Sequence, residues 1–365
     1  MKIAVAMSGG VDSSVAAFIL KAQGHDVFGL TMKVWPCDSD DEVDPRVCCG
    51  PAAVRDAERV SRTLGIRHYT IGLAAMFEET IIEHFVSEYA RGRTPNPCVR
   101  CNRFVKFDTL LTKALALGAS RLATGHHAIV REDPTSGLSS LVRGRDRDKD
   151  QTYFLCGLTQ RQLSRVITPV GELTKDEVRA TAERGGLHVA DRPESQDVCF
   201  VPRGDIETFL RGRRPDALVP GPIVDFDGSV VGEHRGVALY TVGQRSGLGL
   251  SRPRPSYVVE VLAEENTIVV GGEGDLYSTH LTARDLTWIA GRAPGGSFRG
   301  EAKIRYAAPP AACSVAVAGD EAAVTFDERQ RAIAPGQAVV FYDGDIVLGG
   351  GTIERRPTLR VTHHR

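Results

Sequence analysis

A glycine- and serine-rich loop near the start of the chain has the composition of a phosphate-binding site. It runs from Ser8 to Ser14 as Ser-Gly-Gly-Val-Asp-Ser-Ser, after an apolar run over residues 3–7 and before a helical pattern over residues 11–20. Glycines let the backbone approach a ligand, and the first turn of a helix presents unpaired N–H groups at a positive dipole end. The loop therefore predicts an anion site, with a glycine turn and serine cap as the structural alternative. It has neither the Gly-Lys-Ser/Thr of the Walker loop nor the third glycine of the dinucleotide fingerprint.

Thiols are the second chemical feature of the sequence. The eight cysteines are Cys37, Cys48, Cys49, Cys98, Cys101, Cys156, Cys199 and Cys313. In a chain of 365 residues this number indicates redox, metal or catalytic roles more than a disulfide framework. Cys98 and Cys101 form a Cys-x-x-Cys motif, and Cys199 follows in a polar loop. Cys156 and Cys313 have apolar neighbours and are predicted to be packed side chains. The first three cysteines fall in or beside a polar, acidic segment that is predicted to be a mobile loop.

A basic segment surrounds two of these cysteines. It spans residues 91–107 and contains no acidic residue. Its cations are Arg91, Arg93, Arg100, Arg103 and Lys106. With Phe104 and Phe107 interleaved, the segment suits a nucleic-acid backbone and a stacked base. A solvated helix entry with core phenylalanines is an equal alternative. Pro95 and Pro97 predict an extended stretch before the next helix.

The elements that must position these residues alternate in type. The predicted strands cover residues 3–7, 27–34, 67–71 and 121–124, and the predicted helices cover residues 11–20, 52–64, 74–89 and 104–117. A hairpin is predicted for residues 128–131 and 140–143. Such alternation predicts an α/β fold with a doubly wound, mostly parallel sheet. Ligands of these sheets lie outside the carboxyl ends of the strands, where the Ser8 loop, Met32 and Gly125-His126 fall.

The pattern changes after about residue 205, where glycine and proline become frequent and short strands replace long helices. We therefore predict a first domain over residues 1–205, a small linking domain over residues 206–280 and a β-barrel over residues 281–365. Two or three domains also fit the length of 365 residues.

Bulk properties narrow the class of protein only slightly. The formal net charge of −1 gives no global sign of nucleic-acid binding, so any basic surface must be local. No apolar run approaches the length of a membrane span, and the first residues form a strand pattern rather than a signal peptide. We therefore expect a cytoplasmic protein that does not associate with a membrane.

Beyond these patterns, the chain resembles known enzymes. The Ser8–Ser14 loop resembles the pyrophosphate loop (PP-loop) of N-type ATP pyrophosphatases, whose domain is adenine nucleotide α-hydrolase-like. The motifs that extend the resemblance are Thr94 through Cys101-Asn102, Thr124-Gly125-His126, Lys149-Asp150-Gln151 and Glu194 to Phe200. With them, the chain resembles bacterial tRNA-specific 2-thiouridylases nearly end to end. The resemblance implies a PP-loop domain, a linking domain and a tRNA-contacting barrel. It also implies ATP-dependent replacement of O2 by sulfur in the wobble uridine of tRNAs for Lys, Glu and Gln.

The same resemblance implies the site residues. It implies an ATP site at Ala6, Met7, Ser8, Gly9, Gly10, Val11, Asp12, Ser13, Met32 and Gly125. It implies tRNA contacts at Asn96, Pro97, Cys98, His126, Lys149, Asp150, Gln151, Arg305, Tyr306 and Gln337. Asp12 would help to hold Mg²⁺, Cys101 would be the nucleophile, and Cys199 would carry a persulfide. The sulfur would come from a donor such as a cysteine desulfurase or a sulfur-relay protein.

One position departs from the family pattern. The best-described members carry Asp where this chain has Cys98, so the chain has three thiols in place of two. Two arrangements follow. In one, Cys101 and Cys199 form a persulfide and disulfide pair, with Cys98 as a spare or proton-carrying thiol. In the other, Cys98, Cys101 and Cys199 hold a [4Fe–4S] cluster. Two alternatives to tRNA thiolation also remain: another PP-loop ATP pyrophosphatase, and a non-catalytic iron–sulfur or tRNA-binding regulator.

Overall fold

The computed structural model of the chain describes residues 1–34, 50–192, 198–201, 204–251 and 253–355. Cys37, Cys48 and Cys49, with the loop predicted around them, lie outside these ranges, as does Glu194. In the ranges described, no helix is both long and apolar enough to cross a membrane.

A parallel sheet forms the centre of the first domain. The strands of this region are β1 (Lys2–Ala6), β2 (Asp26–Lys33), β3 (Arg67–Gly72), β4 (Arg121–Ala123), β5 (Ala128–Glu132), β6 (Ser139–Arg143) and β7 (Val166–Ile167). Five of them pair in the order β3-β2-β1-β4-β7, all parallel. β1 is central and apolar on both faces, since Ile3 and Val5 enter one core and Ala4 enters the other. The predicted α/β fold is confirmed.

Helices cover both faces of this sheet. They are α1 (Val11–Ala22), α2 (Pro51–Leu64), α3 (Ala74–Phe77), α4 (Glu83–Ala90), α5 (Pro97–Arg100), α6 (Leu111–Ala116), α7 (Gln160–Leu163), α8 (Lys175–Arg184) and α9 (Ile206–Arg211). Val15 of α1, Val60 of α2 and Val178 of α8 pack in one core, and Phe85 of α4 and Leu111 of α6 pack in the other. Two π-helical segments, Glu78–Ile82 and Cys101–Leu110, join α3 to α4 and α5 to α6.

The predicted start of the cysteine-bearing helix was wrong. We expected an extended stretch to residue 103, but the helix begins at Pro97. The Asn96 side chain accepts a hydrogen bond from the Val99 backbone N–H at 3.2 Å, which caps the helix. Pro97 stands at the first helical position, where its missing N–H is not needed. Cys98 and Cys101 therefore lie on successive helical turns rather than in a loop.

The remaining strands form a small sheet and a barrel. The middle sheet contains β8 (Gly221–Val224), β9 (Val230–His234), β10 (Tyr257–Leu262) and β11 (Thr267–Gly271), in the order β10-β11-β8-β9. The barrel contains β12 (Tyr277–Trp288), β13 (Ser297–Lys303), β14 (Ala311–Ala318), β15 (Glu321–Arg331), β16 (Ala338–Asp343) and β17 (Ile346–Arg355). Its order is β12-β15-β14-β13-β16-β17, and pairing of β12 with β17 closes it. The predicted C-terminal barrel is confirmed, whereas the domain limits stay a prediction.

The first domain and the barrel share one continuous sheet. The hairpin of β5 and β6 was predicted, but its partner was not: β6 pairs with β17, Val142 opposite Ile346 and Leu141 opposite Val347. Tyr153, which is fully buried, also donates a hydrogen bond to the Ala338 carbonyl of the barrel at 2.8 Å. These contacts hold the barrel against the edge of the first domain.

Candidate active site

The Ser8–Ser14 loop lies directly on the start of α2. Gly9 has a positive φ of +70°, and a Cβ there would lie 2.4 Å from the Ala53 carbonyl oxygen, so this turn requires glycine. The Ser13 hydroxyl braces the loop, because it donates to the Gly10 carbonyl at 3.1 Å and accepts from the Ser8 N–H at 3.2 Å. Within the described ranges, no side chain caps α1 at Gly10. The first N–H groups of α1 are thus directed to a ligand position rather than to a capping side chain.

A cavity of about 650 Å³ lies beside this loop. The predicted ATP-site residues that line it are Ala6, Met7, Ser8, Gly10, Val11, Asp12, Ser13, Met32 and Gly125. Gly9 forms the turn but is not part of the lining. A Cβ on Gly125 would lie 2.4 Å from the Ser13 backbone nitrogen, so the end of β4 packs closely on the loop. The volume is in the range of small-molecule and cofactor sites.

Asp12 does not present a free carboxylate to this cavity. Lys175 Nζ donates to its two oxygens at 2.7 and 2.9 Å, and His127 Nε2 donates to Oδ1 at 3.1 Å. Burial alone would raise the pKa of Asp12, but the hydrogen bond from His127 and the charge of Lys175 outweigh it, so the pKa is lowered. Because N–H donors already occupy both oxygens, this geometry does not fit the Mg²⁺ role that we predicted for Asp12.

Two cations that the sequence analysis missed border the loop. Lys175, at the start of α8, is only 8% exposed and lines the cavity. Arg192 also lines it, donates to the Gly9 carbonyl at 3.0 Å and pairs with Asp56 of α2. Both are separated from the loop by more than 160 residues of sequence. Together they place positive charge around an anion-binding turn.

The cysteine-bearing helix forms the opposite wall of the cavity. Cys98, Asn102 and Lys106 line the cavity, four residues apart on one helical face. Asn102 is 2% exposed; its Nδ2 donates to the Phe154 carbonyl at 2.9 Å, and its Oδ1 has no hydrogen-bond partner in the described part of the chain. Cys98 is exposed. The thiol at the position that departs from the family pattern is therefore the one that faces the loop.

The two other predicted catalytic thiols are not among the residues that line the cavity. Cys101 and Cys199 are half-buried and pack against the same hydrophobic core. Across residues 1–34, 50–192, 198–201, 204–251 and 253–355, no group of three or more His, Cys, Asp or Glu side chains is arranged to hold a metal ion. The three cysteines thus do not fit a [4Fe–4S] cluster in this conformation. Cys156 and Cys313 are buried as predicted, and burial raises the pKa of their thiols to about 12 and about 11.

Phe104 and Phe107, the two aromatic residues of the basic segment, lie in different environments. Phe107 is fully buried in the core, which contradicts its predicted role in base stacking. Phe104 is half-buried, with the Arg100 and Arg103 guanidinium groups 4.8 and 4.9 Å from its ring centroid. The cations of the basic segment therefore do not share one surface. Lys106 lines the cavity, whereas Arg100 and Arg103 lie beside the Phe104 ring.

Five of the predicted tRNA positions line the same cavity as the loop: Cys98, His126, Lys149, Gln151 and Tyr306. The others make contacts within the protein. The Asp150 carboxylate accepts hydrogen bonds from its own loop, Arg305 donates to the Arg331 carbonyl at 2.8 Å, and Gln337 donates to the Thr94 carbonyl at 3.0 Å. Pro97 is buried at the helix start that Asn96 caps.

Comparisons with known proteins match the whole chain. Family models described as "tRNA methyl transferase HUP domain", "tRNA methyl transferase PRC-barrel domain" and "Aminomethyltransferase beta-barrel domain" match residues 1–203, 207–272 and 278–353. A tRNA-specific 2-thiouridylase MnmA of Symbiobacterium thermophilum is 50% identical, over 97% of this chain and 92% of the relative. Proteins of the same name from Heliobacterium modesticaldum and Magnetococcus marinus are 48% and 49% identical, over 100% and 96% of this chain and 95% and 98% of the relatives.

Proposed function

The chain belongs to the tRNA-specific 2-thiouridylase family, and on that premise we propose that it uses ATP to replace O2 of the wobble uridine by sulfur in tRNAs for Lys, Glu and Gln. The observation that carries the proposal is a single cavity bordered by the Ser8–Ser14 loop, Cys98 and residues such as Lys149 and Tyr306. A nucleotide and a target base must share one space for the base to be adenylated.

Adenylation is the proposed first step, with ATP entering as its Mg²⁺ complex. The uridine O2 attacks the α-phosphorus, the bond to the β-phosphate breaks, and pyrophosphate leaves while AMP stays on O2. N–H groups at the start of α1, with Lys175 and Arg192, would balance the charge that grows on the pyrophosphate. The step converts a carbonyl oxygen, which is a poor leaving group, into AMP. The target base must leave its stack to reach this cavity.

Sulfur transfer is the proposed second step. The terminal sulfur of a Cys199 persulfide attacks C2 of the base, and the bond from C2 to the AMP-bearing oxygen breaks. The Cys101 thiolate then attacks the Cys199 sulfur and forms a disulfide, and the sulfur on C2 leaves as the thiocarbonyl. A dithiol reductant restores both thiols. Both thiols are half-buried at the margin of the same hydrophobic core.

Cys98 has a separate proposed role. It is exposed and lines the cavity, in which the base would lose or gain a proton. A thiol can carry that proton if its pKa is suitable, so we assign it the position of the Asp found in better-described relatives. A cysteine desulfurase or a sulfur-relay protein would load Cys199.

Thiolation of tRNA in vitro tests the proposal. Purified protein is incubated with ATP, a persulfide donor and unmodified tRNA, and thiolated tRNA is separated on a mercury-containing gel. We expect a retarded band that depends on ATP and is lost in Cys199→Ser. Cys313→Ala, which changes a packed cysteine of the barrel, is the matched control and should keep the band. Absence of a band with wild-type protein, or an undiminished band with Cys199→Ser, would refute the mechanism.

A further inference from the structure

Two cations, Arg143 and Lys303, lie near each other at the junction of the first domain and the barrel. Arg143 ends β6, and its Nε and Nη2 atoms are buried with no hydrogen-bond partner among the described residues. Its guanidinium lies 4.3 Å from the ring centroid of Tyr342. Lys303 ends β13, and its Nζ lies 5.3 Å from the ring centroid of Tyr306. In the part of the chain that the structure describes, neither cation forms an ion pair with Asp or Glu.

The Asp150 carboxylate acts on Lys303 through its charge but forms no direct ion pair with either cation among the described residues. Asp150 is 6% exposed, and its carboxylate accepts hydrogen bonds from the Gly144 N–H at 3.1 Å, the Thr152 N–H at 3.2 Å and the Thr152 hydroxyl at 2.8 Å. Burial lowers the pKa of Lys303; Asp150 raises it and Arg143 lowers it further. Lys303 and Arg143 are two half-buried like charges close to each other, so an external anion would stabilise them.

The position of Arg143 and Lys303 indicates which kind of anion they would bind. Tyr306 lines the cavity beside the Ser8–Ser14 loop, and its ring lies 4.6 Å from that of Phe154, which lines the cavity too. Lys303 does not line the cavity itself, but its amine lies over the Tyr306 ring, which does. An aromatic pair beside cations is the arrangement that receives single-stranded nucleotides, in which the rings contact bases and the cations contact phosphates.

We propose that Arg143 and Lys303 form a phosphate subsite that binds the RNA backbone next to the nucleotide placed in the cavity. The subsite rests on the proposed function, because it takes tRNA as the occupant. It is distinct from the loop at Ser8, which takes the phosphates of ATP. The subsite lies where β6 and β13 end, so both the first domain and the barrel contribute to it.

Binding of tRNA without ATP or sulfur donor tests the subsite apart from catalysis. Dissociation constants are measured at several salt concentrations for wild type, Lys303→Gln, Lys303→Arg and the control Lys113→Gln, which changes an exposed lysine of α6. For Lys303→Gln we expect binding about fivefold to tenfold weaker and a salt slope smaller by roughly one phosphate contact. Lys303→Arg should restore most of the affinity, and Lys113→Gln should match wild type. Binding of ATP should be unchanged in all three variants.

The outcomes separate the two proposals. A Lys303→Gln protein whose affinity and salt slope equal those of wild type overturns the subsite. Arg143→Gln is a fourth variant, measured in the same way, and it should also bind tRNA more weakly than wild type. Weaker binding by Lys303→Gln together with unchanged binding by Arg143→Gln confines the contact to Lys303 and overturns the paired subsite. If wild type binds tRNA but never thiolates it, the proposed function fails while a Lys303 effect on binding still supports the subsite. If wild type does not bind tRNA, both proposals fall.

Discussion

Replacement of Lys175 by methionine should separate ATP chemistry from tRNA binding. Lys175 Nζ contacts both oxygens of Asp12 at 2.7 and 2.9 Å, and its side chain is 10% exposed. Methionine keeps an unbranched stem of similar length and removes the charge and the hydrogen-bond donors. The variant therefore changes the electrostatics of the cavity with little change in packing.

The size of the effect follows from the position of the charge. Negative charge grows on the departing pyrophosphate, and loss of one preorganised donor to such a group costs about 2.7–4 kcal/mol, or about 10²–10³ in rate. Stability should change less. Asp12 keeps its hydrogen bond from His127 and is 27% exposed on its side chain, so the loss of Lys175 should lower the free energy of unfolding by roughly 1–3 kcal/mol.

The stability difference should depend on pH with a defined sign. The pKa of Asp12 is lowered in the folded protein, so its ionised form stabilises the fold above the unfolded pKa. That stabilisation is lost as the pH falls through the folded pKa. Without Lys175 the folded pKa moves back up toward the unfolded pKa. The gap in unfolding free energy between wild type and Lys175→Met should therefore be largest near neutral pH and shrink in acid.

Single-turnover release of AMP and pyrophosphate, with tRNA present and no sulfur donor, measures the step directly. We expect Lys175→Met to be at least about 100-fold slower than wild type while binding tRNA normally. Lys113→Met, on the exposed face of α6, should stay within about twofold of wild type, as surface substitutions generally do. If folded Lys175→Met adenylates tRNA within about threefold of wild type, Lys175 does not stabilise the leaving group and the assignment is refuted.

The remaining predictions concern the loop contact and the thiols. Gly125→Ala should abolish use of ATP, because its Cβ would lie 2.4 Å from a loop nitrogen, whereas Gly72→Ala, with nothing within 4 Å, should be active; ATP consumption with tRNA measures both. Activity of Gly125→Ala at the wild-type level would contradict the close packing. In native protein at pH 8, iodoacetamide should label exposed Cys98 and spare Cys156, whose thiol is buried with a pKa of about 12; peptide mass spectrometry distinguishes them, and equal labelling would contradict the burial.

Local patterns predicted the elements that carry the loop. The apolar run before Ser8 and the helical spacing after it are properties of a few adjacent residues, and β1 and α1 form where those patterns lie. The prediction of where the cysteine-bearing helix starts was wrong, also for a local reason. We took Pro95 and Pro97 as signs of an extended stretch and gave no weight to Asn96 as a helix cap. A proline at the first helical position in fact favours a helix.

Contacts between distant segments could not be predicted in the same way. Thr174 and Glu177 form a capping box at the start of the helix that Lys175 begins, yet this local pattern does not indicate that the Lys175 amine reaches Asp12, 163 residues away. Arg192 lies 183 residues from Gly9. The pairing of β6 with β17 could not be predicted either, because alternating apolar residues indicate a strand but not which strand it pairs with.

Three parts of the chain meet at Thr94, just before the cysteine-bearing helix. Its N–H donates to the Pro335 carbonyl of the barrel at 2.8 Å, its carbonyl accepts from Gln337 at 3.0 Å, and its hydroxyl donates to Thr241, before β10, at 3.1 Å. Two residues later, Asn96 caps the helix.

This junction makes the candidate site a product of the whole chain. The turn before β16 approaches closely because Gly336 has a φ of +89°, and a Cβ there would lie 2.9 Å from the Thr94 nitrogen. The barrel thus fixes the start of the helix that carries Cys98, and it also supplies Tyr306 to the cavity wall. The position of Cys98 relative to the Ser8–Ser14 loop therefore depends on how the barrel is docked. A domain that only bound tRNA would not need that dependence, whereas an enzyme that must bring base, thiol and ATP together does.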